Sequence, residues 1–427
     1  MKRERILLCL AHMSGKEMDF IKEAFDTNWV VPLGPNVNGF ENDLENFVNS
    51  RHDASPLDKK GVALSAGTAA VHLALIGCGV KPGDEVIVQS FTFCASSHPV
   101  TYLGAIPVFV DSEKDSWNID PELLEKAIID RKEKTGRYPK AIVPVALYGM
   151  PYQIDRIMEI AEKYGIPVVE DAAEGFGSRY DGQVLGTFGK YGVLSFNGNK
   201  MITTSGGGAL ICADDDAKKE IMWYATQARE SYPYYQHEAI GFNYRMSNIC
   251  AGIGRGQMTV VDEHIAHHKH VQALYRELLK DVKGITLHEN PSDRYDSNFW
   301  LCTATIDADV KVIGEENAYA EVITGAVGGA AGVTHATKTP HTDCEPNANV
   351  EALRLALDAA GIESRPLWKP MHKQPVYKNT PAYANNPAYV NGVSEELFKV
   401  GFCLPSGPWV TDDDVHYIVD NIKKALI

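Results

Sequence analysis

Glu85-Val86-Ile87-Val88-Gln89, Ile106-Pro107-Val108-Phe109-Val110, Ala141-Ile142-Val143-Pro144-Val145 and Ile166-Pro167-Val168-Val169-Glu170-Asp171 are short apolar runs that recur across residues 85–171. Between them lie stretches that read as helices, at 96–103, 123–131 and 152–164. Short apolar strands bounded by helices of about ten residues predict a mostly parallel sheet covered on both faces, an α/β architecture.

Working toward the N-terminus, residues 68–78 read as a helix entered through Leu64-Ser65-Ala66-Gly67-Thr68. Residues 15–30 carry Met18, Ile21, Ala24 and Phe25 at helical spacing, with Ser14 and Glu17 placed as a capping box. Pro32-Leu33-Gly34-Pro35-Asn36 is a turn-rich connector that cannot be helix interior. Past residue 250 the pattern changes. A long polar helix over about 247–281 leads to strands near 299–306 and 361–365 and a last helix at about 412–425. The expected organisation is an N-terminal arm and large α/β domain over 1–250, then a small α+β domain over 251–427. Residues 307–349, with Gly-Gly-Ala-Ala-Gly and repeated Thr and His, read as an inserted surface loop.

Composition narrows the function. The chain has 427 residues with 44% hydrophobic and 23% charged, which suits a folded globular protein rather than a disordered one. A net charge of −15 argues against a general nucleic-acid binder but leaves room for a local basic pocket holding an anionic small molecule. No apolar run is long enough to span a membrane. The run Ile6–Ala11 stops at His12 without a cleavage site, so a signal peptide is not expected. The eight cysteines are scattered with no Cys-x-x-Cys pair, as expected of free thiols in a cytoplasmic protein.

No Gly-x-Gly-x-x-Gly follows a strand, and Gly189-Lys190 lacks the rest of a P-loop, so a classical dinucleotide site or nucleotide hydrolase is not expected. A different phosphate cradle is available in Ser65-Ala66-Gly67-Thr68-Ala69-Ala70, where a small residue and a hydroxyl stand at a helix N-terminus. By itself this could be an ordinary capped helix. Phe93 follows the strand 85–89, where a ring would reach the carboxyl edge of the sheet, and Asp171 closes the strand 166–170. Lys200 is the lone charge between Tyr191 and Cys212, in the run Ser195-Phe196-Asn197-Gly198-Asn199-Lys200. A desolvated lysine has a lowered pKa and can form a Schiff base. Cradle, aromatic, aspartate, serine and lysine in that order form one constellation, a site for pyridoxal 5′-phosphate (PLP).

These segments, together with Leu33-Gly-Pro-Asn-Val, Glu170-Asp-Ala-Ala-Glu, Gly241-Phe-Asn-Tyr-Arg-Met-Ser-Asn, Glu363-Ser-Arg-Pro-Leu-Trp-Lys-Pro-Met-His and Leu404-Pro-Ser-Gly, resemble the DegT/DnrJ/EryC1/StrS family of PLP-dependent nucleotide-sugar aminotransferases over nearly the whole chain. The resemblance implies the aspartate-aminotransferase-like fold (PLP fold type I) and a homodimer with shared sites. It makes Lys200 the Schiff-base lysine and Asp171 the partner of the pyridine nitrogen. Gly67, Thr68 and Ser195 would bind the phosphate, Phe93 would stack on the ring, and Glu174 would lie near the phenolic oxygen and the substrate. Asn243 would reach the phosphate from the neighbouring subunit. Arg245, Arg365 and His372 fall in segments the family places near the sugar nucleotide, and the basic stretch 365–373 is expected to help hold its diphosphate. For Arg245 and His372 the plainer reading is a surface ion pair and a satisfied core histidine.

The chain departs from the commoner family text at Glu174, Asn197 and Ala146. Glu174 with Asn-Gly-Asn-Lys is similar to the subgroup acting at C4 of UDP-4-keto-6-deoxy-N-acetylhexosamines on the way to bacillosamine-type sugars. The expected reaction moves an amino group from glutamate to such a sugar nucleotide, for surface-glycan biosynthesis. Two alternatives share the fold. A PLP-dependent sugar dehydratase would replace the lysine by histidine, and a non-catalytic regulator would have lost the site. Lys200 argues against both. His264, His267, His268 and His270 invite a metal site, but lacking the metalloprotease pattern they read as a solvated helix face, so no metal is expected.

Overall fold

In the computed structural model, which describes residues 4–50, 57–319 and 344–427, the apolar runs form the middle of a large sheet. Its strands are β1 (Lys60–Leu64), β2 (Glu85–Gln89), β3 (Ile106–Val110), β4 (Ala141–Val143), β5 (Val169–Asp171), β6 (Tyr191–Ser195) and β7 (Gly208–Cys212). The order across the sheet is β3-β2-β4-β5-β6-β7-β1, with β4 and β5 joined through Ile142 beside Val168 and Val145 beside Asp171. Neighbours are parallel except where β7 runs against β6 and β1. Almost every strand residue is buried, as two covered faces demand.

The helices start and stop where local chemistry dictates. After α1 (Glu17–Asp26) comes α2 (Pro35–Ser50), which the sequence reading missed: Pro35 opens it, so Asn36 lies in its first turn rather than in a connector. Glu17 does reach back to the Ser14 N–H at 2.8 Å, but the Ser14 hydroxyl takes the N–H of Lys16, so only half of the expected capping box forms. The next helix, α3 (Gly67–Gly77), is buried around most of its circumference because its residues are small or apolar. In α4 (Pro121–Thr135) Asp120 caps the first turn and Gly136, at φ 74°, ends the last.

The long helix expected over 247–281 is two. Asn248–Met258 (α5) ends as the Thr259 hydroxyl bonds back to the Gly256 carbonyl, and Val261–Leu279 (α6) starts afresh. The α5 face that meets α1 and α2 is built of glycine. A Cβ on Gly254 would lie 2.7 Å from the Phe40 ring, and one on Gly256 2.8 Å from Glu17.

A second, antiparallel sheet is made by β8 (Ile285–Leu287), β9 (Cys302–Ile306), β10 (Arg365–Pro366) and, further on, Gly401–Leu404, in the order β8-β9-(401–404)-β10. Its core, including Val271, Tyr275, Leu353, Leu357, Ile418 and Ile422, is separate from the two that cover the large sheet. Two segments cross between the units. Ile6 pairs with Ile362 and is buried in the smaller core, while β11 (Ala388–Tyr389) adds in parallel to the outer edge of β3. Of the loop expected over 307–349, residues 320–343 lie outside the described residues. Among the described residues no helix is long and apolar enough to cross a membrane.

Candidate active site

The carboxyl ends of β5 and β6 and the start of α3 converge on a cavity of about 290 Å³. Gly67, Thr68, Phe93, Asp171, Glu174, Ser195 and Lys200 all line it, so most of the residues singled out from the sequence come together. The first turn of α3 has no side-chain cap, and its N–H groups are open to an anion. Close packing requires the glycines here: a Cβ on Gly67 would lie 3.0 Å from Ser195 Cβ, and one on Gly208 would lie 2.4 Å from the Gly67 nitrogen.

Asp171 is held from behind. Its Oδ2 accepts the Ser96 hydroxyl at 2.6 Å and its Oδ1 the Ala173 N–H at 3.2 Å. Burial pushes its carboxyl above the usual range, opposed by the Ser96 and Ala173 hydrogen bonds and the charge of Lys200. The carboxylate still has lone pairs for a further donor, such as a protonated ring nitrogen. Glu174 is likewise pushed up by burial and drawn down by Lys200 and the Tyr148 N–H. Its Oε2 accepts that N–H at 2.7 Å, and Oε1 lies 3.4 Å from Lys200 Nζ. Tyr148 adopts φ 54° to aim its N–H there, a conformation that costs an unbranched L-residue of order 1–3 kcal/mol.

Lys200 is only 13% exposed, and its Nζ lies 4.0 Å from the centre of the Trp300 ring. Trp300 is itself clamped. Its Nε1–H donates to the Asn199 carbonyl at 2.6 Å, and its backbone N–H donates to Asn298 Oδ1 at 2.8 Å. Asn298 in turn donates to the Glu174 and Phe176 carbonyls. Trp300 and Trp368 line the cavity and were not anticipated. The sequence reading placed Trp300 inside a strand, yet Phe299 has φ 50° and the strand begins only at Cys302. Phe93 exposes half its surface at the cavity and stands 5.5 Å from Trp368, ring to ring.

The remaining expectations are not met inside this cavity. Asn243 lies in a separate depression with Leu33, Tyr235 and Arg245. Arg245 is not poised for a diphosphate: its Nη1 is committed to Glu41 Oε1 at 2.6 Å and the Ala63 carbonyl at 2.9 Å, with 8% of the side chain exposed. His372 is a satisfied histidine, with Nδ1 2.7 Å from Ser90 Oγ and Nε2 3.2 Å from Glu395. Arg365 does not line the cavity and pairs with Glu363, while Lys373 pairs with Glu395 and Lys369 donates to the Cys344 carbonyl. The stretch 365–373 therefore contributes Trp368 to the cavity rather than free cations. Nor is the histidine-bearing face of α6 solvated. His264 and His268 are buried against the carbonyls of Met201 and Phe299, and burial pushes His268 down to about 3.

The chain belongs to the DegT/DnrJ/EryC1/StrS aminotransferase family, whose sequence pattern it matches over residues 12–322 and 331–423. It is 40% identical over 417 residues to "Putative pyridoxal phosphate-dependent aminotransferase EpsN" of Bacillus subtilis, covering 98% of this chain and 95% of that one. It is 32% identical to GDP-perosamine synthase of Caulobacter vibrioides over 423 residues, 99% of each chain. A DegT DnrJ EryC1 StrS aminotransferase from Brucella abortus superposes with a TM-score of 0.78 at 26% identity, over 96% of this chain and 95% of that one. The fold is that of PLP-dependent fold type I enzymes, the protein is an aminotransferase, and its cofactor is PLP. The cavity fits that cofactor: an uncapped helix N-terminus for the phosphate, a buried carboxylate with a free acceptor, and a half-buried amine.

Proposed function

We propose that this aminotransferase moves an amino group from glutamate to a 4-keto-6-deoxy nucleotide sugar, a UDP-linked N-acetylhexosamine, in the cytoplasm for amino-sugar biosynthesis of the bacillosamine type. One observation carries the chemistry: a single cavity holds a half-buried lysine, two buried carboxylates and an open helix N-terminus. When bound, PLP supplies an aldehyde and an electron-accepting ring. Lys200 Nζ is the amine that would hold the aldehyde and, as a free amine, would serve as the base that moves a proton at the substrate. Asp171 would keep the ring nitrogen protonated. The Gly67 and Thr68 N–H groups and the Thr68 and Ser195 hydroxyls would hold the phosphate, and Phe93 would pack on the ring. Glu174 fixes the lysine ammonium and faces the substrate.

The working unit we propose is a homodimer. Leu33 and Tyr235 line the depression that holds Asn243, and both are large and exposed, as are Val30, Val31 and Tyr234 next to them in the chain. A second copy covering this surface would bring Asn243 to its neighbour's phosphate. Lys200→Ala and Asn243→Ala proteins, each inactive, should then regain part of their activity when mixed under conditions that exchange subunits. No recovery despite exchange would refute the sharing.

For the substrate the test is a panel of UDP-, GDP- and dTDP-linked 4-keto-6-deoxy sugars with glutamate, scored for amine product. The likeness to GDP-perosamine synthase makes the nucleotide base the informative variable. Product from the UDP-N-acetyl sugar at the highest kcat/KM is expected. Product from GDP sugars alone would overturn the assignment.

A further inference from the structure

The histidines of α6 divide into two sets. His267 and His270 meet the Gly407 carbonyl and Asp412. His264 and His268, one turn apart on the same face, are 4% and 0% exposed and meet backbone beside the active site. His264 Nδ1 lies 3.1 Å from the carbonyl of Met201, the residue after Lys200. His268 Nδ1 lies 3.2 Å from the carbonyl of Phe299, the residue before Trp300.

A carbonyl oxygen only accepts, so each ring carries its proton on Nδ1. Burial lowers His264 and takes His268 down to about 3, which favours the neutral ring and a fixed donor. His264 Nε2 is then an acceptor, and His12 Nδ1 stands 3.2 Å from it.

The two bonds hold one arrangement. Trp300 Nε1–H donates to the Asn199 carbonyl at 2.6 Å, and Lys200 Nζ lies 4.0 Å from the centre of the Trp300 ring. The carbonyls on both sides of Lys200 are therefore pinned, that of Asn199 by Trp300 and that of Met201 by His264. Trp300 follows a turn at Phe299, whose φ of 50° is a left-handed conformation that a bulky residue keeps only where its surroundings enforce it. His268 holds the carbonyl of that turn, and Ser297 Oγ accepts its N–H at 3.0 Å. Leucine would fill either site without burying polar nitrogens, so the donor is what an imidazole adds there.

We propose that His264 and His268 are positioning residues, which hold the Lys200 main chain and the Trp300 ring in register and so present Nζ to the cavity at one place. The proposal rests on the reading of Lys200 as the residue that holds PLP.

The test compares three substitutions at His264. His264→Leu fills the space and removes the donor. His264→Asn puts an amide nitrogen near the place of Nδ1, whereas His264→Gln carries its amide one bond further out, toward His12. Wild type loaded with PLP, reduced with borohydride and digested should carry the label on Lys200. A label elsewhere defeats the reading of Lys200, and this proposal with it. With the label on Lys200, His264→Leu should lower kcat of the glutamate half-reaction roughly 10- to 100-fold, the cost of misplacing a reacting group by about 1 Å. KM for glutamate should stay within about threefold. The pH midpoint of the absorbance of bound PLP should move by at least roughly 0.5 unit, because Nζ no longer sits in the same field. His264→Asn should restore kcat and midpoint, and His264→Gln should not. If His264→Leu does not fold, Asn against Gln makes the same comparison. The same series at His268 should show the same split. An unchanged kcat and midpoint in the leucine variants, or asparagine no better than glutamine, overturns the proposal and leaves the aminotransferase reading standing.

Discussion

Removing the Arg245 charge should damage stability rather than sugar-nucleotide binding. Arg245 and Glu41 are 8% and 6% exposed and meet at 2.6 Å. Truncating one partner of a buried pair leaves the other charge uncompensated, at a cost of about 3–5 kcal/mol. Here Glu41 keeps the Ala63 N–H at 2.8 Å and has Lys218 at 3.9 Å, so the Arg245→Met loss should fall to roughly 2–4 kcal/mol. Urea unfolding of the cofactor-free protein measures it. The double variant Glu41→Gln/Arg245→Met should recover at least about 1 kcal/mol, because the stranded carboxylate is gone. In steady-state kinetics the single variant should keep its KM for the sugar nucleotide within about twofold. An unchanged urea midpoint with a strongly raised KM would show that the guanidinium turns to the substrate and that the ion pair is incidental.

Lys200→Ala should abolish transamination and the borohydride-trapped cofactor adduct; a trapped adduct in this variant would place the attachment elsewhere. Asp171→Asn should lower kcat by at least about 100-fold, since the ring nitrogen loses the charge that keeps it protonated, and an unchanged rate would name another partner. In the cofactor-free protein, burial raises the Glu174 carboxyl above its unfolded value, so its contribution is full below the ordinary carboxylate range and is lost as pH rises through the folded value. Wild type should therefore lose more stability than Glu174→Gln between pH 4 and 8, and parallel melting curves would contradict the shift. Gly254→Ala drives a methyl to 2.7 Å from the Phe40 ring, and chemical denaturation should register a loss of about 1–3 kcal/mol; no loss would mean that α5 and α2 separate freely.

What could be read from the sequence was whatever is local or repetitive. The strands from 85 to 171 were visible because burial on two faces writes itself into consecutive residues, and Lys200 because an unpaired charge in a neutral run is conspicuous. The helix α2 is hidden although Val37, Phe40, Leu44, Phe47 and Val48 form its buried stripe, because Pro35 suits a turn after Pro32-Leu33-Gly34 as well as it suits the first position of a helix. For Arg245 and His372 the sequence leaves a ligand-facing and a structural reading open for a different reason. Their partners Glu41 and Ser90 lie 204 and 282 residues away in the chain, and nothing near either residue records that pairing. Trp300 and Trp368 likewise reach the cavity only through long-range contacts with Asn199 and Tyr148.

The late strand β11 sets a timetable for biosynthesis. Until Ala388 and Tyr389 arrive, the outer edge of β3 offers its Phe109 and Asp111 N–H groups, which the carbonyls of Pro387 and Tyr389 later accept, to any passing strand. Roughly 280 residues separate the two, so at about 5–20 residues per second a ribosome leaves that edge open for something like 15–60 s. A nascent chain of this protein is thus most exposed to mispairing after its parallel strands are complete, when the large sheet lacks only its selvedge. Chaperone capture, or slow aggregation of fragments ending before residue 387, should concentrate in that interval.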